Sequence, residues 1–196
     1  MQTTINRKYF EFPEMVEHHF RFLEQELGFI MVEASETFIQ YRSQLFFVNI
    51  YHGRQSYEVG FEVGRIDEAP LRYGLSALLM VVVPEYNGNT FFQARDKKTL
   101  QKSVERLAQI VKAHCHYLLM GDLETWKKLE NIRQLEKKQL HQNYFVRPTK
   151  NEALGAWQRR DYEEVICKYE TIETDLTEIE RRRLACARKK IKEIKE

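Results

Sequence analysis

The spacing of hydrophobic residues changes near the amino terminus from the period of a helix to the period of strands. Between Pro13 and Leu27, apolar side chains recur at helical intervals, which predicts an amphipathic helix over residues 13–27. Proline suits the first turn of that helix, where its missing N–H costs nothing. Gly28 can adopt the left-handed conformation that ends a helix, so we expect the helix to stop there.

Four short runs rich in aromatic and β-branched residues follow, separated by polar turns. The clearest alternation lies between Tyr57 and Val63, where apolar residues face one way and two glutamates and a glycine face the other. Because short connections force antiparallel neighbours, we expect an α+β fold in which helices pack on an antiparallel meander of three or four strands. One sheet face should be buried and the other at least partly wet. The runs are residues 29–34, 37–43, 45–51 and 56–63, with the best hairpin turn at 52–55.

Three further helices are predicted after the meander. Residues 73–83 suit either a short buried helix or, at their end, a strand; we favour the helix, followed by a loop over 84–90. Asp96 then caps a strongly amphipathic helix that Gly121 ends, and Asp122 caps the next one. Their apolar stripes are Leu100, Val104, Leu107, Val111, Cys115 and Leu118 in the first, and Leu123, Trp126, Leu129 and Ile132 in the second.

The helical pattern is interrupted over residues 139–147, and Pro148 is typical of a boundary. We therefore expect two domains, an α+β domain over residues 1–147 and a C-terminal three-helix module over 148–196. Beyond the boundary, a capping residue stands three positions before a glutamate three times, which predicts three helix starts. The pairs are Thr149/Glu152, Asp161/Glu164 and Thr177/Glu180, and the expected helices are 150–159, 162–173 and 178–194.

Composition narrows the class of protein. Hydrophobic residues make up 43% of the chain and charged residues 31%, which is typical of a folded protein. The net charge of +2 gives no reason to expect an anionic membrane or nucleic acid as a partner of the whole chain. The longest apolar stretch, 75–83, is too short to span a membrane. The first ten residues lack the apolar core of a signal peptide. The three scattered cysteines suggest reduced thiols. We expect a cytoplasmic protein.

Candidate catalytic and metal-binding patterns fail on spacing. His114, Cys115 and His116 are consecutive, and His18 and His19 are adjacent, so their side chains diverge on a helix. The chain contains neither a G-x-S-x-G nucleophile elbow nor a phosphate-binding glycine loop. Glu58 and Glu62 share a strand face, but about 13 Å of strand separates them, wider than a glycosidase pair. We expect no catalytic residue, metal or cofactor; the remaining alternative is an enzyme site assembled from distant residues.

Charge is distributed unevenly at the C-terminus. Residues 161–180 hold eight acids and one base, whereas residues 181–196 hold eight bases and two acids. Three interpretations stay open: neutralisation of one helix by the other, a basic tail that meets an acidic partner protein, and a basic helix that meets nucleic acid.

Two segments of the chain resemble known protein families. Residues 153–172, A-L-G-A-W-Q-R-R-D-Y-E-E-V-I-C-K-Y-E-T-I, resemble one helix pair of a tetratricopeptide repeat, with small and aromatic residues where the helices interlock. Residues 20–129 resemble small bacterial immunity proteins through F-x-F-L-x-x-x-x-G-F, Y-E-V-G-F-E-V-G-R and Y-L-L-M-G-D-L-E-T-W. The second resemblance implies a cytosolic binder that blocks a partner and has no catalytic residues.

The resulting hypothesis is a non-catalytic, immunity-like or regulatory protein that occludes or scaffolds another protein, such as a toxin or a defence-complex subunit. The alternative is a nucleic-acid-associated factor that uses the basic C-terminal helix. Aromatic and arginine side chains commonly anchor interfaces. We expect the contacts on the wet sheet face around residues 57–65, on the loop 84–95, whose Tyr86, Phe91 and Phe92 we expect to be exposed, and on the C-terminal helices. The candidate partner-binding residues are Arg54, Glu58, Glu62, Arg65, Tyr86, Phe91, Phe92, Arg181, Arg182, Arg188 and Lys189.

Overall fold

The computed structural model describes residues 10–67 and 71–195. The amino-terminal segment, from which no signal peptide is expected, lies largely outside this range. The chain forms two compact units, Met1–Glu130 and Asn131–Glu196, which are called unit 1 and unit 2 below. This division falls before the predicted boundary at residues 147/148.

The described residues of unit 1 form one sheet and six α-helices, the last of which extends beyond Glu130. The helices are α1 (Phe12–His19), α2 (Phe22–Gln25), α3 (Leu75–Val82), α4 (Lys97–His114), α5 (His116–Leu119) and α6 (Leu123–His141). The strands are β1 (Ile30–Ser35), β2 (Phe38–Arg42), β3 (Phe46–His52), β4 (Glu58–Arg65), β5 (Tyr73–Gly74) and β6 (Phe92–Gln93).

The strands lie in the order β1-β2-β3-β4-β5, each antiparallel to its neighbours. The two-residue strands β5 and β6 pair with opposite ends of the same edge of β4. In the predicted hairpin turn, the Gly53 N–H donates to the Glu58 carbonyl over 2.7 Å. The α+β fold and the antiparallel meander are thus confirmed.

One face of the sheet forms the core of unit 1 together with α1 and α4. Asp96 caps α4 as predicted, because its carboxylate accepts a hydrogen bond from the Thr99 N–H over 2.9 Å. The buried side chains of this face and of the α4 stripe are Ile39, Tyr41, Val48, Ile50, Phe61 and Val63, and Leu100, Val104, Leu107 and Val111.

The first helix differs from its prediction because it breaks at Phe20. Phe20 and Phe22 are both buried, yet residues two apart on a continuous helix point about 200° apart. The break between α1 and α2 lets both rings enter the core, where they stack with centroids 5.8 Å apart. Gly28 has a φ of +69°, as expected for a left-handed helix end.

The regular elements described in unit 2 are all helical. After the last part of α6 come a π-helical turn (Gln142–Val146), α7 (Arg147–Arg159), α8 (Tyr162–Glu170), a 3-10 turn (Glu173–Asp175) and α9 (Glu178–Lys195). Asp161 and Thr177 start α8 and α9 as predicted, with cap bonds of 3.1 Å to the Glu164 N–H and 3.4 Å to the Glu180 N–H. The core residues are Val146, Ala153, Ala156, Val165, Tyr169, Ile172, Leu176, Leu184 and Ala187.

The predicted interruption at residues 139–147 is wrong, because these residues are helical. Pro148 cannot donate a backbone hydrogen bond, and an α-helix would normally kink or end there. The π-helical turn just before Pro148 widens the backbone, and the chain passes into α7. Thr149 is therefore inside a helix and caps nothing; its hydroxyl donates to the Phe145 carbonyl over 2.7 Å instead.

Candidate functional site

The face of the sheet opposite α1 and α4 forms a patterned surface, called the open face below. Strand register sets its side chains in three rows across β2, β3 and β4. Two rows carry aromatic rings, and the row between them is polar. The rows are Phe38, Tyr51 and Gly60; Gln40, Asn49 and Glu62; and Arg42, Phe47 and Gly64.

Two glycines of β4 hold the rings close to the backbone. A Cβ atom at Gly60 would lie 2.1 Å from Tyr51 Cζ, and one at Gly64 would lie 2.4 Å from Phe47 Cζ. Any larger residue at these positions would displace the rings, since such distances lie inside van der Waals contact. The rings therefore pack across β4, and both remain partly exposed.

Hydrogen bonds fix the polar row. Arg42 Nε donates to Gln40 Oε1 over 2.7 Å, and Gln40 Nε2 donates to Asn49 Oδ1 over 2.8 Å. Asn49 is 3% exposed, and its amide therefore forms the floor of the face. At the other end of the row, Arg72 donates to Glu62 over 3.2 Å.

Tyr51 is held in its neutral form. Its hydroxyl donates to Glu58 Oε1 over 3.3 Å. Burial, together with the nearby Glu58 and Glu62 carboxylates, raises its pKa to about 12. The phenol consequently serves as a hydrogen-bond donor and an apolar ring, and it cannot act as a base near neutral pH.

A groove of about 390 Å³ crosses this face. The described lining residues come from strands and from the segments beside β4 and β5: Phe38, Gln40, Arg42, Phe47, Asn49, Ile66 and Arg72. Two of them are arginines, and none of the described lining residues is a carboxylate. Because Arg72 is paired with Glu62, the groove combines apolar walls and an amide floor with the positive charge of Arg42.

The structure brings only part of the predicted sheet site to this face. Glu58 and Glu62 lie on it, partly buried. Arg54 lies in the exposed turn between β3 and β4. Arg65 faces the other side at the end of β4, opposite Phe46, and its guanidinium pairs with Asp67 over 2.7 Å.

Residues of β2 and β3 were missed by the sequence reasoning. Phe38, Gln40 and Arg42 alternate with buried Ile39 and Tyr41, so period-two alternation could have assigned them to the exposed face. The same holds for β3, although Asn49 on its exposed side is itself buried. Only cross-strand register shows that these side chains meet.

Within the loop 84–95, the three predicted contact residues differ in exposure. Phe92 is 9% exposed and belongs to the core, because β6 pairs with β4 there, so its predicted exposure is wrong. Tyr86 is partly exposed and packs against the core, with its ring 5.7 Å from that of His114. Phe91 is 55% exposed.

The four predicted basic residues of α9 are exposed, and three of them form ion pairs. Arg188 pairs with Glu170 of α8 over 2.8 Å, which matches the interpretation that the acidic and basic helices neutralise each other. Arg182 and Lys189 pair within α9, with Glu178 and Glu193 respectively. Arg181 is exposed without such a pair among the described residues. Such surface pairs contribute little stability, but they reduce the positive charge that a polyanion would meet.

Groups with possible chemistry are buried or dispersed. Burial raises the pKa of the Cys115 thiol to about 12, so it is not a nucleophile near neutral pH. In the described part of the chain, no three His, Cys, Asp or Glu side chains converge as a metal site would require. The same part contains no helix that is both long enough and apolar enough to cross a bilayer.

Comparison with protein-family models, curated proteins and solved structures finds no match for this chain.

Proposed function

We propose that this chain is a non-catalytic factor that binds another protein through the open face of unit 1. The observation that carries the proposal is the cluster of aromatic and arginine side chains on a sheet face that the helices of unit 1 do not cover. Aromatic and arginine side chains supply most of the binding energy in many protein interfaces.

An exposed sheet face alone would be ordinary, since antiparallel sheets often leave one side to water. Such a face is usually polar, however, and this one presents Phe38, Phe47 and Tyr51. The β4 glycines and the Tyr51–Glu58 hydrogen bond hold two of these rings in place. Side chains that are already ordered lose less conformational entropy on binding.

The resemblance of residues 20–129 to immunity proteins suggests the kind of partner, a toxin or a subunit of a defence complex. Binding across a sheet face would act by occlusion or by scaffolding, and neither requires a reactive side chain. The helix pair α7–α8, which resembles a tetratricopeptide repeat, would then serve as a separate packing module in unit 2.

Site-specific photo-crosslinking in the native host tests this proposal. Benzoylphenylalanine replaces Phe38, whose ring is partly exposed on the open face, and the matched control carries it at Lys102, which is exposed on α4. We expect a discrete protein adduct from position 38 and none of that mass from position 102. Equal adducts from both positions, or none from position 38, would refute the proposal.

The captured protein is then purified and titrated against three forms of the chain. Phe38→Ala should weaken binding by about tenfold, the cost of removing a ring that anchors an interface. Lys102→Ala should leave the affinity unchanged. An affinity that responds to neither substitution would show that the adduct reflected proximity in the cell and no interface.

A further inference from the structure

We propose that the groove on the open face recognises an acidic side chain of the partner, flanked by an apolar residue, with Arg42 as the charge that selects it. This inference rests on the proposed function and adds to it the chemistry of the bound segment.

Arg42 is exposed, and its guanidinium is already oriented. Its Nε donates to Gln40 Oε1 over 2.7 Å, and Gln40 is itself held by Asn49. In the described residues, no carboxylate pairs with Arg42. The terminal nitrogens therefore remain available as a planar fork, whose geometry matches a carboxylate better than it matches any other protein group.

The apolar walls of the groove favour an apolar residue next to the acidic residue of the bound segment. Phe38 and Phe47 are partly exposed and flank the polar row, and Ile66 is 40% exposed at the far end. The volume of about 390 Å³ falls in the range of small-ligand sites. An aliphatic or aromatic side chain next to the acid would cover these surfaces while the carboxylate reaches Arg42.

Charge on the rest of the face favours a protein segment over a nucleic acid. Glu33 and Glu62 share the outward side of the sheet with Arg42 by register, Glu58 follows by alternation along β4, and Arg72 reaches Glu62 through a hydrogen bond. A phosphate backbone would meet these carboxylates as well as the arginines, and nucleic-acid affinity depends mainly on the net positive charge that the phosphates encounter. A single carboxylate bound at Arg42 avoids the repulsion that a phosphate backbone would meet from these glutamates.

A phage-displayed library of random twelve-residue peptides provides a defined probe. The library is selected on the full chain, and each enriched peptide is synthesised and titrated against wild type, Arg42→Glu, Phe38→Ala and the control Lys102→Glu. Lys102→Glu makes the same change of sign on α4, away from the groove. Thermal unfolding of each variant verifies that it is folded.

We expect enriched peptides to share an Asp or Glu beside an apolar residue. Arg42→Glu should weaken them by about tenfold or more, the loss typical of reversing one partner of an interfacial charge pair, and Lys102→Glu should not. Replacing the acidic residue of the peptide with Lys should restore binding to Arg42→Glu. If Arg42 had only a structural role, exchanging the charges of the peptide and of residue 42 would not restore binding.

Three other outcomes overturn the inference in different ways. Peptides that depend on Phe38 but share no acid would refute the role of Arg42 and leave the proposed function standing. Enriched peptides that are indifferent to both Phe38 and Arg42 would refute both. A fluorescent twelve-nucleotide RNA that binds at low salt, is released at high salt and is lost with Arg42→Glu would assign the face to nucleic acid.

Discussion

One added methyl group on β4 tests the geometry of the open face directly. A Cβ atom at Gly64 would lie 2.2 Å from the Leu71 carbonyl oxygen and 2.4 Å from Phe47 Cζ. The ring could turn aside, but the carbonyl belongs to the backbone and cannot. Gly74 offers the matched control, because a Cβ there would have its nearest neighbour, the Phe61 carbonyl oxygen, at 3.9 Å.

The expected magnitudes follow from two opposing effects. Where the backbone suits alanine, replacing glycine stabilises a protein by about 0.4–1 kcal/mol, because the unfolded chain has less freedom to lose. Gly74 has a φ of −77° that alanine can adopt, but it is also the N-cap of α3, where alanine is less favourable than glycine. The two effects oppose each other, so Gly74→Ala should leave the free energy of unfolding close to that of the wild type. Overpacking costs about 1–3 kcal/mol, and we expect Gly64→Ala to lower the free energy of unfolding of unit 1 by about 2 kcal/mol.

Gly60→Ala should fall between the two. A Cβ at Gly60 would lie 2.1 Å from Tyr51 Cζ, but the obstacle is the far end of a side chain that can move away. Moving it breaks the hydrogen bond from the Tyr51 hydroxyl to Glu58. We therefore expect a loss of about 1 kcal/mol, the usual net value of one such bond.

Urea unfolding followed by tryptophan fluorescence measures this series. Trp126 is buried in unit 1, and a Trp157→Phe background removes the signal of unit 2. We expect Gly74→Ala and the wild type to be similarly stable, Gly60→Ala to be less stable, and Gly64→Ala to be the least stable of the series. If Gly64→Ala is as stable as Gly74→Ala, the Leu71 carbonyl and the Phe47 ring do not lie over β4 as described, and the argument for ordered rings fails with them.

Three further predictions concern groups away from the open face. The Tyr41 hydroxyl is buried without a hydrogen-bond partner among the described residues, so Tyr41→Phe should keep or raise thermal stability by about 1 kcal/mol; a clear loss would reveal a hidden partner. Burial opposes ionisation of Glu180, but hydrogen bonds from Lys150 and Thr177 outweigh it and lower its pKa. The stability that ionised Glu180 gives unit 2 is therefore present above its ordinary pKa of 4.5 and is lost as the pH falls through its lowered pKa. In thermal unfolding followed by Trp157 fluorescence, Glu180→Gln should reduce the loss of stability at acid pH. An unchanged loss would contradict this role of Glu180. Burial raises the pKa of Cys115 to about 12, so Cys115 should resist iodoacetamide in the native state while the two exposed cysteines react. Mass spectrometry of the peptides measures the labelling, and early labelling of Cys115 would contradict its burial.

Short residue runs and capping side chains were sufficient to predict much of the fold. Runs of aromatic and β-branched residues between polar turns placed the four long strands, and capping side chains placed the starts of α4, α8 and α9. These signals are local, since each depends on residues at most a few positions apart. For the same reason, Asp161 and Thr177 could be recognised as caps without any knowledge of tertiary structure.

The errors arise where tertiary contacts override local preference. The break at Phe20 exists because two rings two positions apart must both reach the core, and no local rule demands it. Helix continuity through Pro148 depends on a widened turn that proline statistics disfavour. Phe92 looked exposed within a turn-rich loop, yet pairing with β4 buries it. The groove likewise depends on register across three strands, which the sequence of any one strand does not contain.

Glycine on β4 has an intrinsic cost that the packed rings offset. Glycine inside a strand costs about 0.5–1 kcal/mol relative to alanine, and a β-branched residue usually suits a strand better. At Gly60 and Gly64, however, a Cβ atom would collide with the Tyr51 and Phe47 rings, so glycine is the residue that this packing requires. Both rings are thereby held in place on the open face. Because ordering an exposed side chain on binding costs about 0.5–1.5 kcal/mol, rings that are already ordered would reduce that cost for a partner bound as we propose.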